Sequence, residues 1–199
     1  MKTPESRLKT GRTTAELCAA AELSDAALAL RAEGVVGKAY LTALMEAGHF
    51  ADAVRFLAHA LPIREGVWWA WVCARRAAGD EPAPAVAASL DATKTWIAEP
   101  TDTNRRAAMA HAEAVEFSTP AGCAGLAAFF SGGSLGPPEH DPVPPAEFMA
   151  AKAVAGCILL ASVLQEPDKA DEKFRAFLQQ GLEVAEKTQL WTPPPAAPR

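Results

Sequence analysis

The stretch LPIREGVWWAWVCARR, from Leu61 to Arg76, decides the fold. Three of the five tryptophans of the chain, Trp68, Trp69 and Trp71, lie within four positions of it. On a helix with about 3.6 residues per turn these side chains cannot all share one face. A helix that is apolar nearly all round is usually buried on several sides. The pattern therefore predicts that residues 62–78 form the central helix of an all-helical domain, with most of the indole rings in its core.

The composition supports a helical, globular chain. Half of the 199 residues are apolar, alanine is abundant and β-branched residues are sparse, which favours helix throughout. A net charge of −5 argues against a nucleic-acid-binding surface, which is usually basic. The chain opens without the apolar segment of a secretory signal, and its longest apolar run, Ala153 to Leu164, is too short to span a bilayer. We therefore expect a cytoplasmic protein that does not enter the membrane.

The four cysteines are widely spaced, with no CxxC pair, and each lies among alanine, leucine and valine. This spacing favours buried free thiols in a reducing compartment, and two disulfides are the alternative.

Capping and proline signals divide the chain into about ten helices and no strand. A hairpin of two helices with a turn at Gly48 resembles a tetratricopeptide unit, but it occurs once, so no solenoid is expected. The predicted fold is an irregular orthogonal array of helices. Its expected parts are a flexible N-terminal tail over 1–12, a helical domain over 13–190 and a disordered proline-rich tail over 191–199.

Residues 131–145, SGGSLGPPEHDPVPP, form the one long internal loop that the sequence predicts, since glycine and proline fill more than half of it. The turn Ser131, Gly132, Gly133, Ser134 has two interpretations. It offers backbone N–H groups to an anion, with Arg105 and Arg106 assisting, or it is a loop that simply needs glycine conformations. The second is favoured, because no phosphate-binding glycine motif is present.

Polar residues around Pro62 are the other candidates for a binding site. His59, Arg64 and Glu65 flank this proline and suggest a pocket beside the tryptophans, with Trp69 as an aromatic anchor. The favoured alternative is structural: Arg64 and Glu65 tie a helix corner, the tryptophans fill the core, and His59 shares a solvated helix face with Asp52 and Arg55.

The sequence predicts no catalytic residues, no metal site and no cofactor. It contains no HExxH or GxSxG motif and no set of nucleophile, base and orienting group at plausible spacing. His140 lies between Glu139 and Asp141, but the surrounding prolines scatter these groups and no second histidine is near.

The order of several motifs resembles a bacterial, all-helical family of unknown function. The motifs are DAVRFLAHALPIREGVWWA at 52–70, Trp96 followed by Pro100 and Arg105, TPAG at 119–122, and SGGSLGP at 131–137. The resemblance covers about residues 15–185 and implies a bacterial, cytoplasmic, all-helical protein. It implies no activity and no catalytic residue.

Two functions from different classes are consistent with these patterns. The first is a non-enzymatic adaptor that binds another protein through the 131–145 loop and the polar residues near Arg64 and Glu65. A double substitution, Gly132→Ala with Gly133→Ala, is then expected to weaken binding and leave stability nearly intact. The second is a small-molecule-binding protein or enzyme with a pocket near the tryptophan-rich helix. A structural subunit of a larger assembly is a third, weaker alternative.

Overall fold

Helices form nearly all of the regular structure in residues 7–31, 35–137 and 139–193, the part of the chain that the computed structural model describes. These residues contain ten α-helices, one 3-10 turn and a single isolated bridge between Arg7 and Thr13. The all-helical fold class is therefore confirmed. The helices are α1 Thr14–Ala20, α2 Asp25–Ala29, α3 Gly37–Glu46, α4 Phe50–Ala60, α5 Ile63–Ala77, α6 Pro84–Ala98, α7 Asp102–Glu113, α8 Pro120–Phe129, α9 Met149–Val163 and α10 Ala170–Lys187.

Side-chain caps set four of the ten described helix starts at the expected residues. Thr13 and Glu16 form a reciprocal capping box at α1, in which each side chain bonds the other residue's backbone N–H. Thr101 caps α7 by accepting from the N–H of Asn104. Thr119 caps α8, whose first position is a proline that has no N–H to satisfy.

The proline and glycine signals of the sequence predict that the most apolar helix starts at Pro145 and that the second helix ends near Gly34, and both boundaries differ in the structure. The most apolar helix, α9, begins at Met149 and not at Pro145, because Phe148 takes a left-handed conformation with φ +64° and interrupts the turn before it. The second helix, expected to run to about Gly34, ends at Ala29. Gly34 itself lies outside the described residues.

The chain divides into two compact units, Met1–Pro62 with Arg175–Arg199 and Ile63–Phe174. Residues 13–190, expected to form one helical domain, include parts of both. In the first unit, α3 and α4 form the expected hairpin, where Tyr40 and Phe56 meet edge to face with ring centroids 5.2 Å apart. The guanidinium of Arg175 in α10 lies 4.7 Å from the ring centre of Phe50.

The ends of the first unit are more ordered than expected. Within the predicted flexible tail, Leu8 is buried and the N–H of Lys9 donates to the carbonyl of Leu190. Trp191, at the start of the predicted disordered tail, is half-buried, and an added Cβ at Gly37 would lie 3.0 Å from its ring. These contacts lie within the two segments that were predicted as tails, and the predicted domain boundaries stay predictions. Residues 1–6 and 194–199 lie outside the described residues.

In the second unit, α5 packs against α6, α8 and α9. Trp69 is fully buried, and Trp71 is half-buried with its indole N–H donating to the carbonyl of Leu90 at 2.9 Å. Trp68, in contrast, is 38% exposed. The core position expected for the tryptophans thus applies to Trp69 and in part to Trp71.

Helix α8 contributes as much to this core as α5, because it packs against α5, α6, α7 and α9. Its sequence, PAGCAGLAAF, contains mostly small residues, which lets neighbouring backbones approach closely. An added Cβ at Gly125 would lie 2.9 Å from both the carbonyl oxygen of Ala108 and the Cβ of Ala112. This close crossing of α7 and α8 brings the first turn of α7 to the end of α8, where the candidate site lies.

Candidate functional site

An open depression in the second unit brings together five of the residues that the sequence analysis selected. Its volume is about 380 Å³. Its walls come from the start of α5, the end of α6, the start of α7 and the turn after α8. The lining residues are Ile63, Arg64, Trp96, Pro100, Thr101, Asp102, Arg105, Ser131, Gly132 and Gly133.

Arg105 forms the floor of this depression and is almost fully buried, with 3% of its surface exposed. Its Nη1 donates to the carbonyl of Phe129 at 2.8 Å, and its Nη2 donates to the carbonyl of Ser134 at 2.9 Å. Nε and Nη2 both donate to Oδ1 of Asp102, at 2.9 and 2.6 Å. The planar guanidinium therefore connects the first turn of α7 to the end of α8 and to the loop that follows it.

Arg106 reinforces the same connection from the outside. Its Nε donates to Oδ2 of Asp102 at 2.8 Å, and its Nη2 donates to the carbonyl of Gly136 at 2.9 Å and to that of Ser134 at 3.3 Å. Hydrogen bonds from Arg106 and Arg105 hold the pKa of Asp102 below its ordinary value. Both oxygens of Asp102 are thus occupied, and its charge is compensated by two cations. We call Asp102, Arg105 and Arg106 the arginine clasp.

The loop held by the clasp is also closed by its own hydrogen bonds. The hydroxyl oxygen of Ser134 accepts from the N–H of Gly136 and from that of Val143, and the N–H of Leu135 donates to the carbonyl of Val143 at 2.8 Å. Beyond Val143 the chain continues through Pro144 and Pro145, which keep it out of helical geometry. The backbone of the loop is therefore held at Ser134, Leu135, Gly136 and Val143 by hydrogen bonds.

This arrangement supports the structural interpretation of the SGGS turn over an anion site with Arg105 as a ligand. The loop presents its carbonyl oxygens to the arginines, and Arg105 uses its donors on those carbonyls and on Asp102. Gly133 has φ +67°, and an added Cβ there would lie 3.0 Å from Nη2 of Arg105. Glycine is therefore required at this position by both the backbone conformation and the close arginine.

Arg64 lies on the rim and is exposed. Its Nε donates to the carbonyl of Ile97 at 2.7 Å and its Nη2 to that of Ala98 at 3.2 Å, so it binds the last carbonyls of α6. Within the described part of the chain it forms no ion pair. Beside it, Ile63 leaves 49% of its surface exposed.

The other predicted site residues lie elsewhere. Trp69 is fully buried and does not line the depression. Glu65 is half-buried in the first turn of α5 and is not a lining residue either. His59 belongs to the first unit, where it is buried and its Nδ1 lies 2.8 Å from the carbonyl oxygen of Arg55.

The helix face with Asp52 and His59 was expected to be solvated, and this expectation is corrected. Both side chains are buried. Asp52 accepts hydrogen bonds from the backbone N–H and the hydroxyl of Ser24, at 3.0 and 2.8 Å, and lies 3.6 Å from a guanidinium nitrogen of Arg55. Its role in the structure is to hold the start of α2.

Sequence reasoning missed Asp102 as a site residue, although a signal for it was present. A carboxylate three and four positions before two arginines on one helix is a recognisable pairing pattern. Ile63, Trp96, Pro100 and Thr101 were also missed as lining residues, because no local pattern shows that the start of α5 lies beside the end of α6.

All four cysteines are free and buried, as expected. Burial raises the pKa of Cys73, Cys123 and Cys157, which keeps these thiols protonated at neutral pH. Across the described residues, no three His, Cys, Asp or Glu side chains come close enough together to hold a metal ion.

A second cavity, of about 240 Å³, lies in the same unit between the C-terminal ends of α5 and α9 and the N-terminal ends of α6 and α8. Six of its thirteen lining residues are alanines, and Val86, Leu164 and Glu81 also line it. His59, Trp68 and Trp69, the residues expected around a small-molecule pocket, do not line it.

The sequence of the chain was compared with the models of known protein families. Residues 40–185 match the model of a family of unknown function, DUF6931. The match covers well over half of the 199-residue chain, and the chain belongs to this family. The predicted membership of a family of unknown function is therefore confirmed, while a bacterial origin stays an expectation. No curated protein and no solved structure matches the chain.

The helices were also compared with the length and apolarity that a membrane span requires. Within the described residues, no single helix reaches both.

Proposed function

We propose that this member of the family is a non-enzymatic adaptor, which binds another protein through the depression above the arginine clasp. The observation that carries the proposal is the contrast between a fixed floor and an accessible rim in one concave surface. The floor is held by the buried Arg105, and the rim offers Ile63 with half of its surface exposed. A surface that is already ordered loses little conformational entropy when a partner binds.

The adjoining loop extends this surface. Val143 is 55% exposed, and its backbone N–H and carbonyl are already bonded to Ser134 and Leu135. An apolar side chain presented by a bonded backbone is a suitable contact for a partner, because neither buried polar groups nor further ordering oppose its burial. The loop and the depression together form a candidate docking face within the second unit.

The test uses two matched substitutions of exposed apolar residues in that unit. Ile63→Glu places a charge on the rim, and Phe117→Glu places the same charge at a residue that is 40% exposed and does not line the depression. Each tagged protein is recovered from the cells that make it, and the co-purified proteins are quantified by mass spectrometry. We expect Ile63→Glu to lower the recovery of at least one protein about tenfold, which corresponds to about 1.4 kcal/mol. Phe117→Glu is expected to leave its recovery unchanged.

Thermal unfolding provides the folding control. Ile63 is the first residue of α5, where a carboxylate interacts favourably with the helix dipole, so the melting temperature of Ile63→Glu should stay close to that of the parent protein. A folded Ile63→Glu variant that recovers every partner as well as the parent would disprove the proposed docking face. The cytoplasmic location stays a prediction.

A further inference from the structure

The charged side chains of the depression differ in whether an opposite charge lies beside them. Asp102 accepts from two arginines through both of its oxygens, so it does not present a free negative charge. Arg105 is buried against Asp102 and two carbonyls. Arg64 is exposed, has no acidic partner among the residues described, and its Nη1 makes no hydrogen bond to them. The rim thus carries one cation that is open to an anion from outside.

Two backbone donors lie in the same depression. The N–H groups of Gly132 and Gly133 form no hydrogen bond with any described part of the chain, although both residues line the depression. Gly132 is half-buried and Gly133 is exposed. A depression that holds both an exposed guanidinium and unbonded N–H groups is a favourable environment for a carboxylate, because hydrogen bonds from charged and backbone donors add to the electrostatic attraction.

The remaining wall is apolar. The exposed part of Ile63 and the exposed Pro100 line the depression together with Trp96, which is buried with 4% of its surface exposed. Apolar surface beside a cation favours a ligand that carries an apolar group next to its negative charge, since both are then removed from water together.

We infer that the depression binds a carboxylate side chain that is flanked by apolar side chains, as on an acidic–hydrophobic segment of a partner protein. The inference rests on the proposed adaptor function and names the chemistry of its partner. Arg64 and the glycine N–H groups receive the carboxylate, and Ile63 with Pro100 receives the apolar neighbour. A simpler role for Arg64, to cap the last turn of α6, accounts for its Nε and Nη2. That role does not account for the exposed isoleucine and the free glycine N–H groups beside it.

The experiment measures binding of two peptides that differ only in charge. Acetyl-Leu-Glu-Leu-amide and acetyl-Leu-Gln-Leu-amide are titrated into the full-length protein labelled with ¹⁵N. We expect the glutamate peptide to shift the amide signals of Ile63, Gly132 and Gly133 and the indole signal of Trp96 in a saturable way. The glutamine peptide should bind at least fivefold more weakly.

Matched arginine variants locate the effect. Arg64→Gln removes the rim cation and should reduce the affinity for the glutamate peptide at least fivefold. Arg75→Gln removes another exposed arginine of α5 that also donates to a backbone carbonyl at a helix end, that of Gly79, and should leave the affinity unchanged. Equal binding of both peptides, or unchanged affinity in Arg64→Gln, would overturn the inference.

A third ligand separates a polypeptide from a free acid. If 3-phenylpropionate binds the depression and the glutamate peptide does not, the site takes a small organic acid and the inferred partner segment is wrong.

The pull-down with Ile63→Glu is independent of these titrations. Loss of a partner in Ile63→Glu without peptide binding would leave the adaptor function standing and reject its inferred chemistry. Peptide binding without any lost partner would reject the adaptor.

Discussion

The buried face of α5 and the loop after α8 are fixed by opposite kinds of interaction, although they belong to the same unit. Helix α5 is held through Trp69, Ala70 and Cys73, which are fully buried and apolar. The loop is held by hydrogen bonds from Arg105 and Arg106 to its carbonyl oxygens. The difference shows that a buried guanidinium can give a loop rich in glycine and proline fixed attachment points, whereas the helix relies on apolar packing.

The two regions also differ in what fails when a side chain is removed. Loss of an apolar side chain leaves a cavity whose cost grows with its volume. Loss of an arginine leaves carbonyl groups without a donor, whose cost depends on how well water reaches them. Substitutions on α5 therefore measure the cost of a cavity, and substitutions of the arginines measure the cost of unsatisfied carbonyl groups. We expect the loss of stability to be larger for the substitutions on α5.

The largest effect is expected on α5 itself. Trp69→Ala should lower the free energy of unfolding by about 3–5 kcal/mol, because the ring is fully buried and its removal leaves a large cavity. Trp68→Ala, one position away but 38% exposed, should cost no more than about 1 kcal/mol. Urea unfolding of the two variants measures the difference. Equal losses would contradict the placement of Trp69 in the interior of the unit and of Trp68 at its surface.

The second effect concerns the arginine clasp. Arg105→Ala should lower the free energy of unfolding by about 2–4 kcal/mol, since the carbonyls of Phe129 and Ser134 lose their buried donor. Arg106→Ala should cost about 1 kcal/mol or less, because its bonds to Asp102 and the loop are partly open to water. The same urea titration compares them.

A lysine variant sharpens this comparison. Lysine keeps the charge of Arg105 but cannot reach three oxygens in one plane, so Arg105→Lys should recover less than half of the lost stability. Full recovery would show that the positive charge alone holds the loop. The geometry of the guanidinium hydrogen bonds would then not be what distinguishes the loop from the apolar packing of α5.

The contrast explains how far the sequence could be used to predict the structure. Local signals worked: the capping box of Thr13 and Glu16, and the Thr119–Pro120 start of α8, depend on residues within one turn. The buried position of Trp69 follows from helical spacing in the same way. These interactions are encoded by neighbours in the chain.

The site depended on long-range pairs that no local pattern contains. Arg105 bonds a carbonyl 24 residues away, and Arg64 bonds one 33 residues away. Both arginines were selected from the sequence. Their partners were not, because every residue has a backbone carbonyl and the sequence does not show which one an arginine will reach. The close crossing at Gly125, which brings α7 to the end of α8, is set by a missing side chain and not by an apolar period.

The smallest effect tests whether the clasp and the loop fit each other closely. Gly133→Ala should lower the free energy of unfolding by about 1–2 kcal/mol, because its φ of +67° disfavours an L side chain and a Cβ would lie 3.0 Å from Nη2 of Arg105. This corrects the expectation that alanine at Gly132 and Gly133 together would leave stability nearly intact. Gly136→Ala is the control, since a Cβ there meets only the hydroxyl of Ser134, at an ordinary 3.6 Å.

A double-mutant cycle separates the two causes in Gly133→Ala. In the Arg105→Ala background the close contact is absent, so the cost of Gly133→Ala should fall but not vanish, because the backbone conformation still opposes the methyl group. If the cost is the same in both backgrounds, Arg105 does not press against the loop and the depression has a looser floor than its hydrogen bonds indicate. A smaller cost in the absence of the arginine would mean that the loop is fitted to the guanidinium, as the side chains of α5 are fitted to the core.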